Sequence, residues 1–202
     1  LYLHLLDTHT PYRPDPVMME RFCGEPPLGY SEQMTYSLLR AHLNGELEDT
    51  TKLDDFVEHY SDLYSAEVAT LDAKLSSFFA TLSAMGLDDR TVIAVTSDHG
   101  EEFFEHGHLA HGQSLHEELV RVPLIMAGPG IPVGARTDRL ISNRHIAPTL
   151  AKFGGVELPN VPTPQDLSRP EDLVPDSVIS STRQGWWNGR HRLEICSITT
   201  EK

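Results

Sequence analysis

An aspartate and a histidine lie side by side directly after an apolar run of the sequence. Asp98 and His99 follow the β-branched run Thr91–Thr96 and precede a glycine, which lets the backbone pass close to a bound ion. A carboxylate oxygen and an imidazole nitrogen are suitable ligands for a divalent cation such as Ca²⁺, Mn²⁺ or Zn²⁺. The pair therefore predicts a metal site, with a solvated turn in which Asp98 caps a helix as the alternative.

Histidines are concentrated in the residues that follow this pair. Of the 11 histidines in the 202-residue chain, five lie in residues 99–116, which begin with His99 and end with His116. Glycines interrupt this stretch, so it fits neither a helix face nor the core of a strand. We predict His111, between an alanine and a glycine, as the catalytic residue of the group, because a histidine in a glycine-rich loop beside a metal site can bind substrate or move a proton.

A second polar turn follows another apolar run. Leu1–Leu6 has the composition of a buried strand, and Asp7 and His9 come directly after it. Because the carboxyl ends of parallel strands meet at the same edge of a sheet, we expect His9 to approach Asp98. Taken alone, His9 would be interpreted as an ordinary loop histidine.

Composition excludes several classes of protein. The chain has 16 Lys and Arg against 30 Asp and Glu, a net charge of −14, which argues against a nucleic-acid partner. The longest uncharged stretch, Val122–Ala135, is broken by proline and glycine and is too short for a transmembrane segment. Cys23 and Cys196 are far apart and form neither a disulfide framework nor a zinc motif.

Hydrophobic spacing predicts an α/β fold. Apolar residues at steps of three and four indicate helices over Glu32–Leu43 and over about Asp55–Met85, and Asp7–Pro27 is predicted as loop. The predicted strands are Leu1–Asp7, Thr91–Ser97 and Val122–Ala127, in a mostly parallel central sheet flanked by helices.

The C-terminal part has a different pattern. Short helices are predicted over Ser114–Val120 and His145–Phe153, and a proline-rich segment follows. Ser177–Ser181 and Arg192–Ile198 then alternate as short strands typical of a small antiparallel sheet. We therefore predict an α/β domain over residues 1–155, and a linker with part of an antiparallel subdomain over 156–202.

Five motifs in sequence order resemble those of the sulfatase family in the alkaline phosphatase superfamily. They are His4–Tyr12, Tyr64–Asp72, Thr96–Glu101, His111–Leu115, and Glu118–Ile125 with Gly128–Ile131. They cover about residues 1–155, and the C-terminal residues resemble the start of that family's antiparallel subdomain. The resemblance implies a hydrolase that acts on sulfuric esters, with a small-molecule or glycan sulfate ester as its partner.

The resemblance also implies roles for individual residues. Asp98 and His99 match the ligands of the active-site cation, which is Ca²⁺ by resemblance. Many sulfatases have Asn at the position of His99, so its nitrogen makes Mn²⁺ or Zn²⁺ possible. His9 matches the histidine that contacts the sulfate ester, and His111 the Lys or His near the leaving oxygen. Both are therefore expected to bind substrate and to act in catalysis.

The nucleophile of the family is a Cys or Ser in the motif Cys/Ser-x-Pro-x-Arg, oxidised to formylglycine. Neither Cys23 nor Cys196 lies in such a motif. We therefore expect the chain to be the C-terminal half of a catalytic domain, inactive alone, with the missing N-terminal half as its partner. The alternatives are a phosphoryl-transfer enzyme of the same superfamily (a phosphonate or phosphodiester hydrolase or a phosphoethanolamine transferase) and a degenerate, non-catalytic sulfatase-like domain.

Overall fold

The computed structural model describes residues 1–159, 167, 173, 177–184 and 193–200. The chain forms two compact units, each built from two segments. The first unit comprises Leu1–Met85 and Glu102–Ala110, and the second comprises Gly86–Glu101 and His111–Lys202. The candidate site residues are therefore divided, because His9 belongs to the first unit whereas Asp98, His99 and His111 belong to the second.

Helices and short strands alternate along the chain. The helices are α1 (Pro16–Phe22), α2 (Glu32–Leu43), α3 (Thr51–Ala84), α4 (Glu117–Val120) and α5 (Ile146–Phe153), with 3₁₀ turns at Asp88–Arg90 and Asn143–His145. The strands are β1 (Ile93–Thr96), β2 (Glu102–Phe103), β3 (Leu109–Ala110), β4 (Leu124–Ala127), β5 (Ser177–Gln184) and β6 (Leu193–Thr200). No helix in the described residues is both long enough and apolar enough to cross a membrane.

Local capping explains where the helices of the first unit begin. The prediction for α2 is confirmed at both ends, and the hydroxyl of Ser31 accepts the backbone N–H of Met34 at its start. Helix α1 contradicts the loop predicted over Asp7–Pro27, because the Asp15 carboxylate accepts the N–H of Val17 and a proline occupies the first helical position.

Helix α3 begins one turn before the predicted residue Asp55. Its first residue is Thr51, and the hydroxyl of the preceding Thr50 donates to the carboxylate of Asp54 at 3.0 Å. The helix supplies most of the core of the first unit. The buried core cluster consists of Tyr12, Leu39, Leu53, Val57, Tyr60, Leu63 and Leu109, with the β2–β3 hairpin packed on it through Phe103.

The second unit contains the predicted strands, but their pairing differs from the prediction. β1 pairs with β4 in antiparallel register, from Ile93 opposite Ala127 to Thr96 opposite Leu124. All strand pairs in the described residues are antiparallel, so the predicted parallel central sheet is not found among them. Apolar composition predicts that a strand is buried but not which strand lies beside it, and this explains the difference.

The predicted first strand also differs. Leu1–Leu6 has no regular secondary structure, and most of its apolar side chains are exposed. A strand needs a hydrogen-bonded neighbour, and the described residues of the first unit pair none with this run. The prediction that Leu1–Asp7 forms a strand is therefore wrong for this structure.

The prediction that the two C-terminal strands form an antiparallel pair is confirmed. β5 and β6 pair in antiparallel register from Ser177 opposite Thr200 to Gln184 opposite Leu193, slightly beyond the predicted ends. Residues 185–192, between the two strands, lie outside the described residues. The boundary at residue 155 stays a prediction.

Candidate active site

The turn after β1 presents the two predicted metal ligands to solvent. Asp98 is 77% exposed, and its Oδ1 accepts the backbone N–H of His99 at 3.1 Å. The hydroxyl of Ser97 donates to the carbonyl of His99 at 2.5 Å and closes the turn. These local bonds fix the backbone while leaving the carboxylate open.

His99 has the ring geometry that a metal-binding histidine requires. Its Nδ1 lies 2.8 Å from the Gly100 carbonyl oxygen. A carbonyl can only accept, so Nδ1 is the donor and Nε2 carries the lone pair in the neutral ring. Nε2 lies 3.9 Å from Oδ1 of Asp98, a separation that one cation between the two atoms can bridge at ordinary ligand distances of about 2.0–2.5 Å. The donor set fits a divalent cation, which would need further ligands to fill its shell.

Gly100 is required at its position by a close backbone approach. Its N–H donates to the Leu119 carbonyl at 2.8 Å, and a Cβ at residue 100 would lie 2.0 Å from the backbone oxygen of Glu118. Real Cβ atoms do not come this close to an oxygen, so any side chain would push α4 and the turn apart. The glycine therefore fixes the turn that carries Asp98 and His99 against the backbone of α4.

A buried glutamate joins the two predicted motifs. His111 Nδ1 donates to Oε1 of Glu101 at 3.0 Å, and the side chain of Glu101 is only 5% exposed. The His111 ring lies against the His99 ring, with their centroids 4.0 Å apart and their planes at 31°. The structure thus places Asp98, His99 and His111 next to one another, and their roles in metal binding and catalysis stay predictions. The position of Glu101 in the Thr96–Glu101 motif is the signal in the sequence that points to this residue, but neither its type nor its spacing predicts the bond to His111.

His9 lies in an exposed loop of the first unit. Its Nδ1 donates to the Thr10 carbonyl at 2.7 Å, and its backbone N–H donates to the Leu6 carbonyl at 3.1 Å. Tyr12, three residues on, is buried in the core of that unit. The expected approach of His9 to Asp98 stays a prediction.

Cys23 has the electrostatics of an unreactive thiol. Partial burial raises the pKa of Cys23, and the negative charge of Asp62 raises it further. A thiol with a raised pKa has less of the nucleophilic thiolate at neutral pH. This supports the expectation that Cys23 is not the nucleophile.

Comparison with known proteins places these motifs in a family context. The family model described as Sulfatase matches residues 1–156. Human arylsulfatase K (Homo sapiens) is 33% identical over 112 residues, which cover 55% of this chain and 20% of the relative. Choline-sulfatase of Rhizobium meliloti (strain 1021) is 33% identical over 122 residues, which cover 60% of this chain and 23% of the relative. The chain thus spans about a fifth of the length of these curated relatives.

Solved structures resemble this chain in fold. BT4656, solved in complex with its substrate D-glucosamine-2-N,6-O-disulfate, superposes with a TM-score of 0.65 at 23% identity, covering 84% of this chain and 35% of its own. The phosphonate monoester hydrolase SpPMH from Silicibacter pomeroyi gives a TM-score of 0.60 at 23% identity, and the match covers 70% of this chain and 28% of SpPMH. At these identities the likeness describes the fold.

Proposed function

This chain belongs to the sulfatase family, and we propose that it is part of a metal-dependent enzyme that hydrolyses a sulfuric ester. The observation that carries the proposal is the contact between two motifs. Asp98 and His99 come from one motif and His111 from another, and the buried carboxylate of Glu101 holds the His111 ring beside His99. A decayed domain would have no need to keep a buried charge aligned with a histidine.

Asp98 and His99 would hold the divalent cation, through a carboxylate oxygen and the Nε2 lone pair. Resemblance to the family supports Ca²⁺, and the nitrogen ligand of His99 supports Mn²⁺ or Zn²⁺ as the alternatives. When bound, the cation supplies Lewis-acid stabilisation of negative charge on the ester oxygens. The exposure of Asp98 leaves room for the substrate and for ligands from other parts of the protein.

His9 and His111 would bind the sulfate group and assist the departure of the alcohol. Nδ1 of each ring already donates within the chain, to the Thr10 carbonyl or to Glu101, so Nε2 can donate to the leaving oxygen only when the ring is doubly protonated, as an imidazolium. That second N–H would stabilise the charge that develops on the leaving oxygen in the transition state. The hydrogen bond from His111 Nδ1 to Glu101 fixes the ring's rotation, so that Nε2 is the nitrogen presented away from the carboxylate. We assign both histidines to substrate binding and catalysis.

The nucleophile in this proposal is a formylglycine that lies outside these 202 residues. Neither cysteine of the chain has the Cys-x-Pro-x-Arg context, and the raised pKa of Cys23 disfavours a thiolate nucleophile. A sulfated sugar and a small sulfate ester are both suitable substrates, since BT4656 was solved with a sulfated glucosamine and another relative is a choline-sulfatase.

One observation favours a second candidate function. The fold matches a phosphonate monoester hydrolase with a TM-score of 0.60. An enzyme that cleaves phosphonate monoesters would use the same metal ligands and the same two histidines on a different ester. The two functions differ in substrate preference, which turnover measures directly.

The test is the turnover of 4-nitrophenyl sulfate and of a 4-nitrophenyl phosphonate ester by the purified full-length enzyme. We expect a higher kcat/KM for the sulfate, a loss of about 100-fold or more in His111→Ala, and no loss in the matched variant His42→Ala on α2. Preference for the phosphonate would select the second function. No turnover of either ester would favour the non-catalytic alternative.

A further inference from the structure

Three polar residues lie on one face of α3 and contact the loop that carries His9. Glu67, Thr70 and Lys74 are spaced by three and four residues, so they share a face of the helix. Glu67 and Thr70 lie inside the Tyr64–Asp72 motif, and Lys74 lies two residues after it. The proposed chemistry gives none of these three side chains a role. Their partners are residues of the segment 7–15, which we call the His9 loop.

The contacts reach both sides of His9. Oε1 of Glu67 accepts the backbone N–H of Arg13. The hydroxyl of Thr70 accepts the backbone N–H of Asp15 at 3.0 Å. The ammonium of Lys74 pairs with the carboxylate of Asp7, two residues before His9.

Burial makes the Glu67 contact the strongest of the three. Glu67 is only 5% exposed, and a buried carboxylate is stable only where donors satisfy it. A hydrogen bond from a backbone N–H to a charged acceptor is stronger than one between neutral groups. Lys74 is 62% exposed, so water screens its pairing with Asp7.

The hydroxyl of Thr70 is fixed in direction. It donates to the Ala66 carbonyl at 2.8 Å within the helix, so its lone pairs are what remain for the N–H of Asp15. Thr70 is also buried. Both Glu67 and Thr70 therefore hold the backbone of the His9 loop from a rigid helix.

The His9 loop depends on these contacts because residues 7–15 form neither helix nor strand. The N–H of Tyr12 donates to the Glu32 carboxylate at 3.0 Å, and its ring packs on Tyr60 at 4.8 Å. These interactions anchor the chain after His9, and Glu67 anchors the residue that follows Tyr12. A loop so attached can present a histidine in one fixed place.

We propose that Glu67 is a positioning residue for His9, assisted by Thr70, in the reaction proposed above, on which this inference rests. Glu67 touches neither substrate nor cation in this scheme. It acts by holding the peptide N–H of Arg13, and so the backbone that carries His9. A displacement of about 1 Å at a reacting group costs about 100-fold in rate.

The decisive experiment is a double-mutant cycle in the full-length enzyme. Glu67→Ala should lower kcat for 4-nitrophenyl sulfate by about 10- to 100-fold when His9 is present. In a His9→Ala background the same substitution should cause no further loss, because nothing remains to be positioned. An equal loss in both backgrounds would overturn the proposal and assign Glu67 to general stability.

Conservative and matched variants separate positioning from folding. Glu67→Gln keeps an oxygen that accepts the Arg13 N–H, so it should restore most of the turnover lost in Glu67→Ala. Glu58→Ala removes the same charge from an exposed position of α3 and should leave kcat unchanged. Should Glu67→Ala fail to fold, Thr70→Val replaces it, with Thr81→Val as the control. Thr81 makes the same bond to a carbonyl four residues back, at 2.9 Å, from an exposed position.

Hydrogen exchange distinguishes failure of this inference from failure of the proposed function. The amides of Arg13 and Asp15 should exchange faster in Glu67→Ala and Thr70→Val than in wild type, whatever reaction the enzyme performs. Unchanged exchange in peptides covering residues 7–15 would overturn the inference. Faster exchange in an enzyme that turns over no sulfate ester would instead support the role of Glu67 in holding the loop and contradict the sulfatase proposal.

Discussion

The His9 loop of the first unit and the Asp98–Gly100 turn of the second are held in place by different means. Side chains of α3, 54 and 55 residues away in sequence, bind the backbone of the His9 loop. The turn after β1 is held by its own short-range bonds and by the approach of Gly100 to the peptide backbone of α4. Side-chain anchors can be replaced one at a time, whereas a close backbone approach leaves no space for any substitution.

The largest stability effect is expected in the first region. Tyr12 is buried, with its ring 4.8 Å from Tyr60 and 5.6 Å from Tyr64. Tyr12→Ala removes this aromatic contact and should destabilise the protein by about 3–5 kcal/mol. Tyr2→Ala, at a position 83% exposed, should change stability by less than about 0.5 kcal/mol.

Urea unfolding of both variants measures the difference. Equal midpoints for Tyr12→Ala and Tyr2→Ala would show that the His9 loop is not anchored through its aromatic residue. That result would contradict the statement that side-chain contacts hold the His9 loop in place.

Gly100→Ala tests the second region. The new methyl group would lie 2.0 Å from the Glu118 carbonyl oxygen, and backbone cannot rotate away as a side chain can. We expect a loss of about 1–3 kcal/mol. Gly24→Ala is the matched control, because a Cβ there meets no atom within 4 Å. If the two alanines lower the urea midpoint equally, the backbone approach is not what holds this turn.

Local sequence patterns predicted much of this structure. Helix α2 has the predicted bounds Glu32–Leu43, and the structure places Ser31 and Asn44 as the capping residues at its two ends. Helix α1 was missed although Asp15 and Pro16 are a typical start signal. Strand partners are a different problem, because an apolar run such as Leu1–Leu6 does not specify what lies beside it.

The same distinction applies to the candidate site. Asp98, His99 and His111 were predicted together, and they lie close in sequence as well as in space. The role of Glu67 was not predicted, because its partner Arg13 is 54 residues away in sequence and no spacing rule relates the two residues. Residues that perform chemistry have recognisable types, whereas residues that hold a loop are identified only from the folded contacts.

A smaller effect should appear as pH dependence in α3. Burial lowers the pKa of His59 below its ordinary 6.5, and Asp62 opposes this only in part. The imidazole of His59 therefore binds a proton more tightly in the unfolded chain than in the folded protein. The contribution of His59 to stability is highest above pH 6.5 and falls as the pH drops below it. His59→Phe should reduce this fall below pH 6.5, as measured by urea midpoints. Identical pH profiles for the two proteins would contradict a role for His59.

The central claim is that the turn after β1 holds the metal ion. Metal content per chain, measured by mass spectrometry on the dialysed protein, tests it most directly. We predict that Asp98→Ala lowers divalent metal content by about tenfold or more, since one ligand of the pair is lost. The matched variant Asp89→Ala removes an exposed aspartate from the 3₁₀ turn before β1 and should retain the wild-type content. Equal metal content in Asp98→Ala and wild type would contradict the claim.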